Sequence, residues 1–170
     1  ENGHGSSIVN GHAIPVPLQM GTLSKAVGAY GGYLCTSKDV ADLIRNRARS
    51  FQYTTGLPPG NIAAAIKALE IIEMDHQLVS TPLIHARRFA KAVGLPEPES
   101  PIVPILLGNS EPTLLAAQHL EQQGFLVVAI RPPTVPDGTA RLRCTFSASH
   151  TENDIDRFSS VIKKILNLNE

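Results

Sequence analysis

The chain of 170 residues has 42% hydrophobic and 18% charged side chains, fifteen basic and fifteen acidic, for a formal net charge of +0. That composition builds a globular core rather than a disordered chain, and the balanced charge argues against nucleic acid or a membrane surface as the main partner. The longest strongly apolar run, residues 125–130, is too short to span a bilayer, and Cys35 and Cys144 read as buried thiols of a reducing compartment.

Residues 1–14 are rich in Gly, Ser, Asn and His and predict a loop. Their start, Glu1-Asn2-Gly3-His4-Gly5, has neither the basic nor the apolar segment of a signal peptide and reads as a mid-protein loop. Residues 16–20 predict a short buried strand, and residues 33–36 a second one entered through Gly31-Gly32. Ser37 is a suitable N-cap for a helix over 38–49, acidic early and arginine-rich late, an order that complements the helix dipole. Residues 51–59 break that helix, and Pro59 suits the first turn of the next. Ile62, Ile66, Leu69 and Ile72 then keep helical spacing to about residue 75. A further helix is predicted over 78–93, with Pro82 near its start and Gly94 at its stop.

After a proline-rich connector at 95–101, strands are predicted over 102–107 and 125–130, around a helix over 112–123 that stops at Gly124. The loop 131–138 follows, then a strand whose Ala140, Leu142, Cys144 and Phe146 alternate with polar residues and face a core. Thr151 with Asp154 forms a capping-box pattern. Ile155, Phe158, Ile162 and Leu166 stripe the final helix. The order β-α-β-β-α describes a small α+β unit, a sheet with helices on one face.

Three places could carry chemistry. The first is the loop 21–32, where Lys25 lies among Thr22, Ser24 and glycines between two strands expected to be buried. Burying an ammonium is costly unless it is paired or neutralised. Such an amine can form a Schiff base with a cofactor aldehyde, or it can snorkel to water from a plain turn. The loop has neither the spacing of a P-loop nor that of a dinucleotide-binding fingerprint. The second place is Arg131, with Thr134, on a loop stiffened by Pro132, Pro133 and Pro136. It suits a carboxylate, or a surface ion pair at a strand end. The third is Thr54-Thr55, read as lying at a helix N-terminus, fit for a phosphate or for simple capping. The sequence contains no CxxC or HExxH spacing for a metal. His76, His85, His119 and His150 read as structural, and nothing pairs His4 or His12 with a nucleophile.

Taken in order, the lysine loop, the run Thr54-Thr55-Gly56-Leu57-Pro58-Pro59 and the run from Ile130 to Arg143 resemble the α-oxoamine synthases. These are pyridoxal phosphate enzymes of the aspartate aminotransferase-like α/β fold (fold type I). The Arg-Pro-Pro-Thr-Val-Pro run is most similar to the members that serve biotin biosynthesis. The resemblance implies that Lys25 is the Schiff-base lysine and Thr22 a contact to the cofactor phosphate. It implies that Thr54 and Thr55 reach the phosphate of the neighbouring subunit's site in a homodimer, and that Arg131 and Thr134 bind a substrate or product carboxylate. The implied reaction joins L-alanine to pimeloyl-CoA or a pimeloyl-carrier protein with loss of CO2, in the cytoplasm. Residues 1–74 would end the large cofactor domain, and 75–170 would form the small C-terminal α+β domain. The family's aspartate that pairs with the pyridine nitrogen and its ring-stacking histidine have no match here, so the chain reads as a C-terminal part that is inactive alone. A related synthase joining glycine to an acyl-CoA, or a non-catalytic α+β binding module, are the alternative readings.

Overall fold

The computed structural model describes residues 7–9 and 11–167. The segment Glu1 to Gly5, with His4, lies outside the described residues. The chain forms two compact units, one running to His76 and the other from Gln77.

The first unit starts with a small hairpin where a loop was expected. Strands β1 (Ile8–Val9) and β2 (His12–Ala13) pair antiparallel, with His12 opposite Val9. A second antiparallel ribbon joins β3 (Gln19–Thr22) to β4 (Gly32–Cys35), with Gly21 opposite Tyr33. The first expected strand therefore sits later than predicted. Helix α1 (Lys38–Arg47) has Ser37 at its N-cap position, but the serine hydroxyl makes no capping bond. The expected run to Arg49 is interrupted at Ala48, whose extended backbone (ψ 104°) separates α1 from the short α2 (Arg49–Gln52). Asp42 on α1 pairs with Lys38 and Arg45, each at 2.9 Å, and these cations hold its carboxyl below the usual carboxylate range. Helix α3 (Pro59–Met74) starts with proline at N1, where a missing N–H costs nothing.

Burial in this unit departs from expectation. Among its described residues only Ala65 is buried. Leu18 is 54% exposed and Met20 77%. Cys35, expected to be a buried thiol, is exposed. The reason is physical: alternation fixes which way a side chain points, whereas burial depends on what lies over it. Two strands alone cannot bury each other's side chains.

The second unit has a complete core. Helix α4 (His76–Val93) leads to β5 (Ile102–Gly108), α5 (Ser110–Gln122), β6 (Val128–Ile130), β7 (Ala140–Thr145) and α6 (Glu152–Asn167). The sheet is antiparallel in the order β5-β7-β6. On its inner face, Val103, Ile105, Leu142 and Cys144 join Phe89 of α4, Leu120 of α5 and Ile162 of α6 in one cluster. Each such side chain contributes about 1.5–3 kcal/mol by leaving water. Phe89 packs 5.0 Å from Phe146 and 5.1 Å from Phe158, centroid to centroid. Burial pushes the Cys144 thiol up to about 12, which keeps it protonated and inert.

The helix ends follow their sequence signals. Gly94 (φ +76°) and Gly124 (φ +86°) adopt the left-handed conformation after α4 and α5. In each case the next N–H folds back, from Leu95 to Ala90 O at 2.9 Å and from Phe125 to Leu120 O at 2.8 Å. Phe125 is thus part of the helix stop, and the strand expected from residue 125 begins only at Val128. At the start of α6 the Thr151 N–H donates to Asp154 at 2.9 Å, and the Asp154 N–H donates to the Thr151 hydroxyl at 3.2 Å. Arg88 of α4 grips α6 by two bonds to Asp156 (2.8 and 2.7 Å) and one to Glu152 (2.6 Å), which raises its own pKa and lowers that of Asp156.

Candidate active site

The lysine loop is the apex of the β3–β4 ribbon. Its ends are tied by the Leu23 N–H donating to Gly31 O at 2.9 Å and the Ala29 N–H donating to Leu23 O at 2.8 Å. Inside it, the Gly28 N–H donates to Lys25 O at 2.9 Å. Lys25 is exposed, and its Nζ donates to Thr22 Oγ1 at 2.9 Å. The flanking strands were expected to be buried; the structure holds the amine at the surface on a neighbouring hydroxyl, which leaves both the Schiff-base reading and the plain-turn reading open.

Two residues that sequence reasoning passed over shape this loop. A Cβ on Gly21 would lie 2.4 Å from the Tyr33 ring across the ribbon, so the ring occupies the space that the glycine leaves. A Cβ on Gly31 (φ +114°) would meet the Leu57 side chain at 2.8 Å. Leu57 therefore seats the segment carrying Thr54 and Thr55 against the lysine loop. The signal was present as glycines facing large apolar residues, but it became legible only with the register.

Thr54 and Thr55 precede α3 by several residues, and its N-cap position is Pro58 with no side-chain cap bond. Neither hydroxyl caps this helix, so the capping explanation fails; both side chains are exposed beside the lysine loop's partner Leu57.

Arg131 and Thr134 belong to the second unit. The Thr134 N–H donates to Arg131 O at 3.1 Å, closing a turn that contains the cis Pro132–Pro133 bond. Arg131 is exposed and makes no ion pair among the described residues, so the strand-end ion pair is not formed. The structure thus brings Lys25, Thr22 and the Thr54-Thr55 segment together in one unit and holds Arg131 with Thr134 in the other. The histidines read as structural behave so where bonded: His85 Nδ1 donates to Ser147 O at 3.1 Å, and His150 Nδ1 accepts from the Ser147 N–H at 3.2 Å. No group of metal-ligating side chains occurs among the described residues.

The donor set around Lys25 fits a phosphorylated aldehyde. It offers an exposed primary amine on Lys25 and a hydroxyl 2.9 Å from it on Thr22, with further hydroxyls at Thr54 and Thr55 in the same unit.

Comparison with known proteins agrees with this chemistry. The family model "Aminotransferase class I and II" matches residues 9–162. The chain is 58% identical over 164 residues to an 8-amino-7-oxononanoate synthase of Granulibacter bethesdensis, covering 96% of this chain and 42% of that protein. It is 56% identical over 164 residues to the synthase of the same name from Maricaulis maris, again covering 96% of this chain and 42% of that protein. A solved Sphingomonas wittichii serine palmitoyltransferase shares its fold with TM-score 0.82 at 23% identity, over 91% of this chain and 40% of the other. A serine palmitoyltransferase solved with pyridoxal phosphate gives TM-score 0.78 at 26% identity, over 91% of this chain and 40% of that one. The chain therefore spans less than half the length of the proteins it matches. The expected fold type I architecture is borne out, and the chain belongs to the class I and II aminotransferase family, in its pyridoxal phosphate-dependent α-oxoamine synthase branch.

Proposed function

We propose that the enzyme to which this chain contributes condenses L-alanine with a pimeloyl thioester, on coenzyme A or a carrier protein, to give 8-amino-7-oxononanoate, CO2 and the free thiol, a step of biotin biosynthesis. The observation that carries the reading is the Lys25 amine, held 2.9 Å from the Thr22 hydroxyl at the tip of a hydrogen-bonded ribbon. Identity of 56–58% to relatives named for that reaction supports the substrate pair over a glycine-using synthase or a binding module. Residues 1–74 are the end of the large domain in this reading and 75–170 the small one. The working enzyme is a cytoplasmic homodimer; among the described residues no helix is long and apolar enough to cross a membrane.

Bound pyridoxal phosphate supplies an electron sink for a carbanion generated at the amino acid's α-carbon. Everything else falls to side chains. Lys25 Nζ is the covalent anchor and, once free, takes and returns a proton at the α-carbon. Thr22, whose hydroxyl accepts from that amine, contacts the phosphate in this reading. Thr54 and Thr55 offer hydroxyls to the phosphate in the neighbouring subunit's site, a role compatible with their exposure and lack of a capping duty. Arg131 holds a carboxylate by its two-pronged guanidinium, with Thr134 in the same turn.

Borohydride reduction after loading with pyridoxal phosphate tests the anchor. The expected result is a single pyridoxyl label on the peptide containing Lys25, lost in Lys25→Ala. A label on a different lysine refutes the assignment. The chain by itself is expected not to turn over alanine and pimeloyl-CoA; enzyme-like rates from the purified 170-residue chain would overturn that part.

A further inference from the structure

We infer that Leu57 is a positioning residue that acts across the dimer: it rests on the lysine loop of its own subunit and sets the reach of Thr54 and Thr55 toward the phosphate of the neighbouring subunit's site. This rests on the cofactor and homodimer reading proposed above and goes beyond it by naming the side chain that holds those hydroxyls in place.

Between Phe51 and Gly60 every residue is exposed except Leu57, which is half-buried. What covers it is Gly31. A Cβ on Gly31 would lie 2.8 and 2.9 Å from the two methyl carbons of the leucine, so Leu57 occupies the space that the glycine leaves. The φ of +114° at Gly31 also favours glycine, so conformation and bareness agree at this seat. Gly31 closes the lysine loop as well. Its carbonyl accepts the Leu23 N–H at 2.9 Å, and Leu23 adjoins Thr22, whose hydroxyl accepts from Lys25 Nζ at 2.9 Å. Leu57 therefore touches the loop at its tied base, one hydrogen bond from the neighbour of the amine's partner.

The chain on the two sides of Leu57 differs in stiffness. Pro58 (φ −57°) and Pro59, in the first turn of α3, restrict the backbone that enters the helix. Toward the threonines the chain is looser. A Cβ on Gly56 would meet nothing within 4 Å among the described residues, and a glycine in open space is a joint. Beyond it, the Thr54 N–H donates to Phe51 O at 3.3 Å, a long bond. Without the leucine seat, the two threonines hang between that bond and a glycine joint. With it, Thr55 and Thr54 stand two and three residues from a packed anchor. Hydroxyls ordered before a phosphate arrives lose less freedom on binding it, so the seat acts on affinity without touching the ligand.

The test uses the full-length enzyme with pyridoxal phosphate and with pyridoxal, which lacks the phosphate. Leu57→Ala should raise the Kd of pyridoxal phosphate about tenfold and leave that of pyridoxal within about twofold. Leu57→Met, which nearly keeps the volume, should restore most of the affinity. Equal weakening of both compounds would mark a merely structural role and overturn the inference. Heterodimers carrying Lys25→Ala in one subunit decide the direction, because borohydride then labels only the site of the other subunit. With Leu57→Ala placed on the Lys25→Ala subunit, half-labelling should need about tenfold more pyridoxal phosphate. With Leu57→Ala placed on the labelled subunit, it should not change. The reverse pattern, or no change in either heterodimer, overturns the inference, while the label on Lys25 leaves the cofactor reading standing. Absence of any label on Lys25 in unsubstituted enzyme overturns the cofactor reading and this inference with it.

Discussion

Replacing Phe89 with alanine should remove the keystone of the second unit. The ring has 0% exposure and lies within 5.1 Å of two other aromatic rings, Phe146 and Phe158. A buried Phe→Ala change costs about 3–5 kcal/mol, the transfer of the lost atoms plus the cavity left behind. The upper part of that range applies because the helix neighbours Ala86 and Ala90 are themselves fully buried and too small to swing into the space. At about 4–8 °C per kcal/mol for a domain of this size, the unit's Tm should fall by roughly 20 °C or more. Amide exchange of β7, followed through a urea series, isolates this unit from the other, which a single global transition would not. Ile84 on the same helix is 57% exposed and provides the control; Ile84→Ala should stay within about 0.5 kcal/mol. Equal effects of the two substitutions, or a cost below about 1 kcal/mol for Phe89→Ala, would refute the packing argument.

Two further outcomes follow from titrating and reactive groups. The Thr151 hydroxyl and N–H hold the Asp154 carboxyl below its ordinary value. A depressed folded pKa gives stability that is present above the unfolded carboxylate range, near about 4, and lost as pH falls through the folded value. The first turn of α6 should therefore lose amide protection in acid, and Thr151→Ala should lose most of that pH dependence; an unchanged acid profile in Thr151→Ala would contradict the capping account. For the thiols, iodoacetamide at mild alkaline pH should modify exposed Cys35 and spare buried Cys144 until the chain unfolds. Mass spectrometry showing equal modification of both in native protein would disprove the burial of Cys144.

What could be read from the sequence was what is decided locally. The capping pair Thr151 and Asp154, the helix stops at Gly94 and Gly124, and the alternation of Ala140 to Phe146 each depend on residues within a few positions, and each stands in the structure. The stripe Ile155, Phe158 and Ile162 is buried as expected, with Ile165 joining it. Burial in the first unit was not legible. Leu18, Met20 and Cys35 have the composition of core strands, but burial depends on a covering layer that local patterning does not encode. The two-residue hairpin of β1 and β2 is too short to leave a periodic signal. At the site, lysine and hydroxyl residues announced chemistry by type. The seating of Leu57 against Gly31 and of Tyr33 against Gly21 required the register of the ribbon.

The ties across the base of the lysine loop, Leu23 to Gly31 and Ala29 to Leu23, divide the labour of movement at this site. They tie the backbone of the loop at its base, and from it the side chain of Lys25 reaches roughly 6 Å from Cα to amine at ordinary bond lengths. An amine at the end of such a side chain can swing off one bond and onto another by rotamer changes, which take picoseconds to nanoseconds in exposed side chains. Exchange of hydrogen-bond partners at Nζ then requires no rearrangement of the loop's backbone ties.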